Sequence, residues 1–300
     1  MPVPAWTRLS LQLGFQPPLC PDTLFGHVIA TAVPGVEEWR DGTYRRTLRL
    51  PGGPGIAALR PEGDHVAARL LLTHPADADD AVAACRRILD LDADPSTVDP
   101  HLARDPVLAP LVAAAPGRRV PGSARPDEFA LRAVLGQQVS TAAARTHAAR
   151  LVAAHGDPVT DPDGTLTHLF PTPAALAEVD PSTLALPRAR QDAFVRLVRA
   201  LASGDIELSP DADPVAATST LAAMPGIGPW TVGTIAMRAL GDRDAFLPGD
   251  LGVRLAAARL QLPASRAALI RRAEAWRPWR AYVVQHLWAT GDHAVNRMPS

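Results

Sequence analysis

No single helix can pass through Leu221–Asp250, which reads LAAMPGIGPWTVGTIAMRALGDRDAFLPGD. Leu221 to Met224 ends one helix, Pro225-Gly226-Ile227-Gly228 turns the chain, and Pro229 suits the first position of a second helix, where its missing N–H has no partner to lose. Gly226 and Gly228 permit backbone dihedrals that side chains forbid and let another molecule approach closely. The free N–H groups that open the second helix form a ready site for an anion such as phosphate. A bare turn of this kind is also an ordinary way to join two antiparallel helices. Asp250, behind Pro248-Gly249, has two readings as well. It is a good N-cap for LGVRLAAARL, or it is a chemically active carboxylate. A helix start favours the ionised form, so one residue can do both.

The chain has 300 residues, 47% of them hydrophobic, enough for a real core and for two or three domains. No run of 18 apolar residues is present, which argues against a membrane span. MPVPAWTRLSLQLGF lacks the charged start and long apolar block of a secretory signal, so the expected location is cytoplasmic. Cys20 and Cys85 form no C-x-x-C pair, which excludes a four-cysteine zinc or iron–sulfur site; both read as packing residues. The formal net charge of −1 argues against a protein that coats nucleic acid by bulk charge. A backbone anion site would let a near-neutral protein hold DNA without many cationic side chains. All 30 basic residues are arginine. With no lysine, no side-chain amine is available for Schiff-base chemistry.

Residues 1–97 read as a small α+β unit with an antiparallel sheet. Strands are expected over 43–50, 56–60 and 65–74, and helices over 21–33 and 77–92. Residues 98–300 read as all helical, in segments 101–115, 126–156, 172–179, 187–204, the two helices around the turn, and 264–291. In 187–204, Phe194, Leu197, Val198 and Leu201 mark one buried face, with Arg196 and Arg199 off it. DPVTDPDGTLTH (157–168) is expected to be an exposed loop.

PGIGPWT followed by FLPGD resembles the helix-hairpin-helix DNA glycosylases, and the rest of the chain narrows the likeness to the AlkA-type DNA-3-methyladenine glycosylase II family. FQPPLCPDTLFGHVIATAVPGVE is similar to its amino-terminal pattern, with Thr31 where an arginine is usual. LRAVLGQQVSTAAA (131–144) and AEAWRPWRAYVVQHLW (273–288) match two further signatures, so five ordered matches run through nearly the whole chain. The resemblance implies an α+β fold: a TATA-binding-protein-like antiparallel sheet domain, then an all-α helix-hairpin-helix glycosylase region in two subdomains, with hairpin 221–234 and the active-site cleft between the subdomains. It implies a glycosylase that flips an alkylated purine, of the 3-methyladenine or 7-methylguanine type, out of double-stranded DNA and hydrolyses its N-glycosidic bond in base-excision repair. It implies a monomer that requires no cofactor.

Residue by residue, Asp250 matches the family's catalytic aspartate, which would stabilise an oxocarbenium-like sugar or orient the attacking water. Trp230 and Trp288 match aromatics that line the base pocket, where a flat electron-rich face suits a cationic purine. Trp230 also stands where the family's lyase members carry a lysine, which implies a monofunctional enzyme. Trp276 and Trp279 read as packing residues, and Asp242 and Asp244 as loop acids. Three positions depart from the family pattern: His27 for a phenylalanine, and Thr234 and Ala289 for tyrosines. A roomier pocket follows, with a lesion range open to hypoxanthine or bulky adducts. His27 is either a base-edge partner or a partly buried helix histidine. Gly117–Gly122 resembles the loop that wedges into the duplex, with Val120 as the inserted side chain beside Pro121 and with Arg118 and Arg119 toward phosphates. Gly226, Gly228 and Thr231 would meet the DNA backbone, and the carbonyls of Ala222, Met224 and Ile227 would hold a monovalent cation. A DNA-binding module without catalysis is the second reading, against which Asp250 and both tryptophans weigh.

Overall fold

The computed structural model describes residues 5–184, 186–209 and 212–298. Five antiparallel strands open the chain: β1 (Thr7–Gly14), β2 (Glu37–Arg40), β3 (Thr43–Arg49), β4 (Pro54–Glu62) and β5 (His65–Leu72), in the order β1-β5-β4-β3-β2. The register sets Leu9, Leu11 and Leu13 opposite Leu70, Ala68 and Val66. Alternation therefore sends Val66, Ala68, Leu70 and Leu72 to one face. That face packs against α1 (Pro21–Ala30) and α2 (Ala78–Ile88) through Leu24, Phe25, Val28, Cys85 and Ile88. Burial pushes the Cys85 thiol up to about 12, so it is inert packing. The expected strands and helices of this unit are all present. Strands β1 and β2 are additions to the sequence reading, and their short alternating runs explain why they pair at the sheet edges.

Helices follow. They are α3 (Pro95–Leu102), α4 (Ala109–Ala114), α5 (Pro126–Leu135), α6 (Thr141–His155), α7 (Pro173–Ala177), α8 (Arg188–Ser203), α9 (Pro214–Ala223), α10 (Pro229–Arg238), α11 (Leu251–Arg259), α12 (Arg266–Ala273) and α13 (Arg280–Trp288). They form two cores. One gathers Leu131, Val134, Leu151, Phe194, Leu197, Leu221 and Ile235; the other gathers Leu102, Leu108, Met237, Leu247, Val253, Trp276, Tyr282 and Leu287. Helix α10 serves both, giving Ile235 to the first and Met237 to the second. This is an α+β architecture with an antiparallel sheet followed by a two-part helical region. Among the described residues no helix is long and apolar enough to cross a membrane.

Three segments differ from the sequence reading. Residues 101–115 are two helices, not one, and 126–156 breaks at Gly136–Ser140, where the Ser140 hydroxyl accepts from Ala143 N–H and restarts the chain as α6. Residues 157–168 are exposed over most of their length, as expected, but the loop is anchored. A short ribbon, β6 (Asp157–Pro158) with β7 (His168–Leu169), closes its ends. Its middle is fastened to the sheet: Arg8 grips the Asp163 carboxylate at 2.6 and 2.8 Å, and Arg45 donates to Asp161 at 2.8 Å. Leu166 packs with Ile56 and Leu71 beneath it. Ion pairing to remote arginines thus fastens a segment whose composition still keeps most of it in solvent.

The sheet meets the helices across a buried ionic seam. Arg46 of β3 donates to Glu128 of α5 at 2.9 Å, and Arg132 of α5 reaches both Glu128 (2.9 Å) and Glu37 of β2 (3.0 Å). Glu37 also accepts from the Tyr44 hydroxyl at 2.6 Å and from Val33 N–H at 2.8 Å. Burial pushes the Glu37 carboxyl up, but Arg132, Arg46 and these two hydrogen bonds outweigh it and hold it below its ordinary value. A folded pKa below the unfolded one contributes stability above the ordinary carboxylate range and loses it as pH falls through the folded value. Arg46→Ala leaves two buried carboxylates short of a cation and should cost about 3–5 kcal/mol. Urea unfolding at pH 7 checks this: a loss below about 1 kcal/mol would show that the seam is not load-sharing at all.

Candidate active site

The hairpin at the heart of the site forms as its prolines and glycines dictate. Helix α9 stops at Ala223, Met224 caps it in extended conformation, and Ile227 N–H donates back to the Met224 carbonyl at 3.1 Å. Gly226 has φ +89°, and a Cβ there would sit 2.7 Å from the Ala193 methyl of α8, so both conformation and space require glycine. Gln137, in the break between α5 and α6, donates to the Gly226 carbonyl (3.1 Å) and to the Thr231 hydroxyl (2.9 Å). Pro229 opens α10.

Asp250 is both a cap and the hub of three helices. Its Oδ1 accepts from Val253 N–H at 2.9 Å, the capping bond of α11. The same oxygen accepts from the Trp288 indole of α13 at 2.7 Å, and Oδ2 accepts from the Trp230 indole of α10 at 2.8 Å. Gly252 makes this closeness possible, since a Cβ there would lie 2.9 Å from the Trp288 ring. The two readings of Asp250 therefore meet in one geometry.

Trp230 and Trp288 stand in the wall of a cavity of about 270 Å³. His27, Phe129, Thr234 and Arg238 share the lining, and the Glu37–Arg46–Glu128–Arg132 seam forms part of it. His27 stacks on Trp288 with centroids 5.9 Å apart and 26° between planes. Its Nε2 lies 2.6 Å from Arg238 Nη1 and accepts from it. Burial, then the Arg238 charge, lowers the His27 pKa well below 6.5. A neutral imidazole bound through Nε2 carries its proton on Nδ1. Arg238 also donates to the Pro121 carbonyl at 2.7 Å and lies 4.8 Å over the Phe129 ring; burial pushes its guanidinium down to about 9. Thr234 is buried on the same side, and its hydroxyl has no partner. Phe129 and Arg238 were missed in the sequence because each belongs to an ordinary helical pattern.

Other site residues fall elsewhere. Val120 is 8% exposed inside the second helical core, and Pro121 is buried with it. Arg119 is 1% exposed, donating to the carbonyls of Ala93 and Gln16 at 2.5 Å each. Cys20 N–H bonds the Gly117 carbonyl and Gly122 N–H bonds the Ile88 carbonyl, which seals the loop against two elements. The expectation of an exposed wedge with phosphate-facing arginines at 117–122 is thereby corrected, because a side chain spent on internal packing is not free to enter a duplex. Arg118 is likewise buried. Thr231, 2% exposed, is engaged by Gln137 and is a hairpin brace rather than a surface contact. Gly226 is exposed and Gly228 half-buried at the turn. Asp244 is taken by Arg280 and Arg277, and Asp242 holds its own turn through Asp244 N–H. Trp276 is buried and donates to Asp105, and Trp279 packs beside Tyr282, both as packing residues. Among the described residues no cluster of three metal-ligating side chains occurs.

The break between α5 and α6 was also missed. It borders the cavity through Gly136 and Val139, and it turns on Gln138, exposed and with φ +56°. A left-handed non-glycine residue beside a cavity wall is a feature that sequence composition conceals.

Comparisons with known proteins agree with this geometry. Residues 10–125 match the AlkA N-terminal domain. The chain is 54% identical over 97% of its length to the probable bifunctional transcriptional activator/DNA repair enzyme AlkA of Mycobacterium tuberculosis, and it spans 59% of that relative. It is 34% identical to DNA-3-methyladenine glycosylase 2 of Escherichia coli, covering 93% of this chain and 96% of that one. The solved 3-methyladenine DNA-glycosylase from Archaeoglobus fulgidus superposes with a TM-score of 0.78 at 21% identity, over 94% of this chain and 97% of that one.

The electrostatics can be checked directly. Burial lowers His286 to about 3 as well. Neither His27 nor His286 should protonate in the folded protein near pH 6, where a free imidazole is substantially charged. Their stabilising share is complete above about pH 6.5 and falls away as pH drops toward the folded values. Histidine ¹³C or ¹⁵N chemical shifts followed from pH 8 to 5 are the measurement; a His27 titrating near 6.5 would contradict the Arg238 contact.

Proposed function

The chain belongs to the AlkA-type DNA-3-methyladenine glycosylase 2 family, and from that premise we propose that it is a monofunctional DNA glycosylase acting on alkylated purines of the 3-methyladenine and 7-methylguanine type. The observation that carries this reading is the Asp250 carboxylate, gripped by two indole N–H groups whose rings line one cavity. Those rings offer faces on which a flipped cationic purine stacks. The carboxylate then lies at the edge of that stack, beside the sugar whose bond to the base breaks. As the base leaves with the bonding electron pair, the sugar gains oxocarbenium character, which the carboxylate stabilises. Water attacks the anomeric carbon and loses a proton, and the cation already on an alkylated base reduces the need for a general acid.

Hydrolysis rather than Schiff-base chemistry follows from the side chains available. Trp230 occupies the position after the hairpin, and no lysine exists anywhere in the chain. The product is an intact abasic site. The hairpin at Gly226–Gly228 would hold the DNA backbone through the free N–H groups of α10, and the carbonyls of Ala222, Met224 and Ile227 beside it would hold a monovalent cation. With Val120 buried, Gln138 takes over as the side chain placed to fill the space of the flipped nucleotide. It is exposed in the break between Gly136 and Val139, both of which line the cavity.

The test uses methylated duplex DNA. Wild type should release 3-methyladenine and 7-methylguanine. Asp250→Asn should lose at least about two to three orders of magnitude in release, the scale of removing a key transition-state group, while DNA affinity stays close to wild type. Asn still caps α11, but its Nδ2 cannot accept from the Trp230 indole, so melting temperature should fall by the modest amount that one lost hydrogen bond costs. Borohydride should trap no protein–DNA adduct. DNA binding without any release by wild type would favour the non-catalytic reading instead. Gln138→Ala should slow excision from duplex far more than from single-stranded DNA, since only duplex needs the vacated space filled; equal slowing would remove Gln138 from this role.

A further inference from the structure

We propose that the carboxy-terminal strap, Asp292–Met298, forms a wall of the base cavity and that Val295 on it sets the size of base admitted. The proposal rests on the glycosylase reading and deepens it. Four observations place the strap. Val295 is half-buried and lines the same cavity as Trp230, Trp288 and His27. Asn296 locks the strap to the end of α13, its Nδ2 donating to the carbonyls of Trp288 (2.9 Å) and Gly291 (2.7 Å). Arg297 runs so close over α1 that a Cβ on Gly26, the neighbour of His27, would lie 2.6 Å from its carbonyl oxygen. Met298 packs against the amino-terminal core. The strap therefore crosses from the helix bearing Trp288 to the helix bearing His27, and Val295 hangs into the gap between them.

The chemistry is steric. A β-branched side chain is stiff at χ1, and a strap fixed at both ends cannot withdraw without losing two hydrogen bonds and the close backbone contact. Discrimination by one methylene in an apolar pocket runs at about 10–200-fold. His27, Thr234 and Ala289 stand where larger aromatics are usual in the family pattern. Of those three, His27 and Thr234 line the cavity together with Val295, which the strap rather than a core helix supplies.

The experiment compares wild type, Val295→Ala, Val295→Phe and Asn296→Ala on duplexes carrying 7-methylguanine or the larger 1,N6-ethenoadenine, by single-turnover excision. In parallel, quenching of tryptophan fluorescence reads binding of the two free bases. Val295→Ala should raise the large-to-small ratio about tenfold in both readouts, and Val295→Phe should lower it. Asn296→Ala should blunt the selection in the same direction as Val295→Ala, because it loosens the strap without altering the cavity side chain. A ratio unchanged within about twofold in every variant, with rates falling equally for both bases, would overturn the proposal and leave the strap a structural tie. If wild type excises neither lesion but binds the free bases, the glycosylase reading fails while the binding ratio still decides the strap. If it does neither, both fall.

Discussion

One carboxylate holds the working part of this molecule together. Asp250 accepts three N–H groups, one from its own helix and one from each of two tryptophans on neighbouring helices. An indole has a single donor, so each bond fixes a ring edge and leaves the faces for other contacts, one of which, on Trp288, His27 already takes. The positions of α10, α11 and α13 around the cavity are therefore coupled to a group that is also chemically useful. A hydrocarbon side chain at 250 would leave two half-buried indole donors and one helix-start donor unmatched, a cost well beyond the loss of one cap.

The opposite side of the cavity is built on a different principle. Two arginines and two glutamates sit in the seam between sheet and helices, with formal charges that cancel. A buried network of this kind contributes little net stability compared with apolar packing, but it penalises any arrangement that separates its members. The seam thus fixes the register of sheet against α5, and with it the distance from α1 to α10. His27 and Arg238 bridge that distance as a neutral acceptor and a buried donor. The cavity wall is consequently built partly from polar contacts and partly from aromatic rings.

What could be read from the sequence follows from how local each cause is. The hairpin was legible because Pro225, Gly226, Gly228 and Pro229 act on their own backbone. Asp250 was legible as a cap for the same reason, and its grouping with Trp230 and Trp288 in one site came through the family likeness, whereas the two indole hydrogen bonds became visible only in the structure. The reading of 117–122 came from the family likeness, and the local sequence gives no sign that Arg119 is satisfied by carbonyls of residues 16 and 93, far away in sequence. At 157–168 the exposed loop was legible from composition, and only its anchoring by Arg8 and Arg45 was not. The break at Gln138 was hidden inside a stretch of helix-favouring residues, where only Ser140, a capping residue, signals the restart. The ionic seam joins residues 37, 46, 128 and 132, a set that no spacing rule connects.

The absence of lysine gives the site a physical consequence beyond reaction type. A Schiff-base enzyme brings its nucleophile on a side chain and can exclude water from the sugar. A hydrolytic site must admit one water and still exclude the rest. Here the two indole bonds occupy one lone pair on each Asp250 oxygen, and the capping N–H takes another on Oδ1. A carboxylate has about four such directions. One remains on Oδ2, on the oxygen that α11 does not use. Water directed by that lone pair would approach from the Trp230 side, so on the proposed reading the ring that would stack on the base also limits where the nucleophile can stand. The same two tryptophans, which orient the carboxylate, would then govern base recognition and the path of water as well.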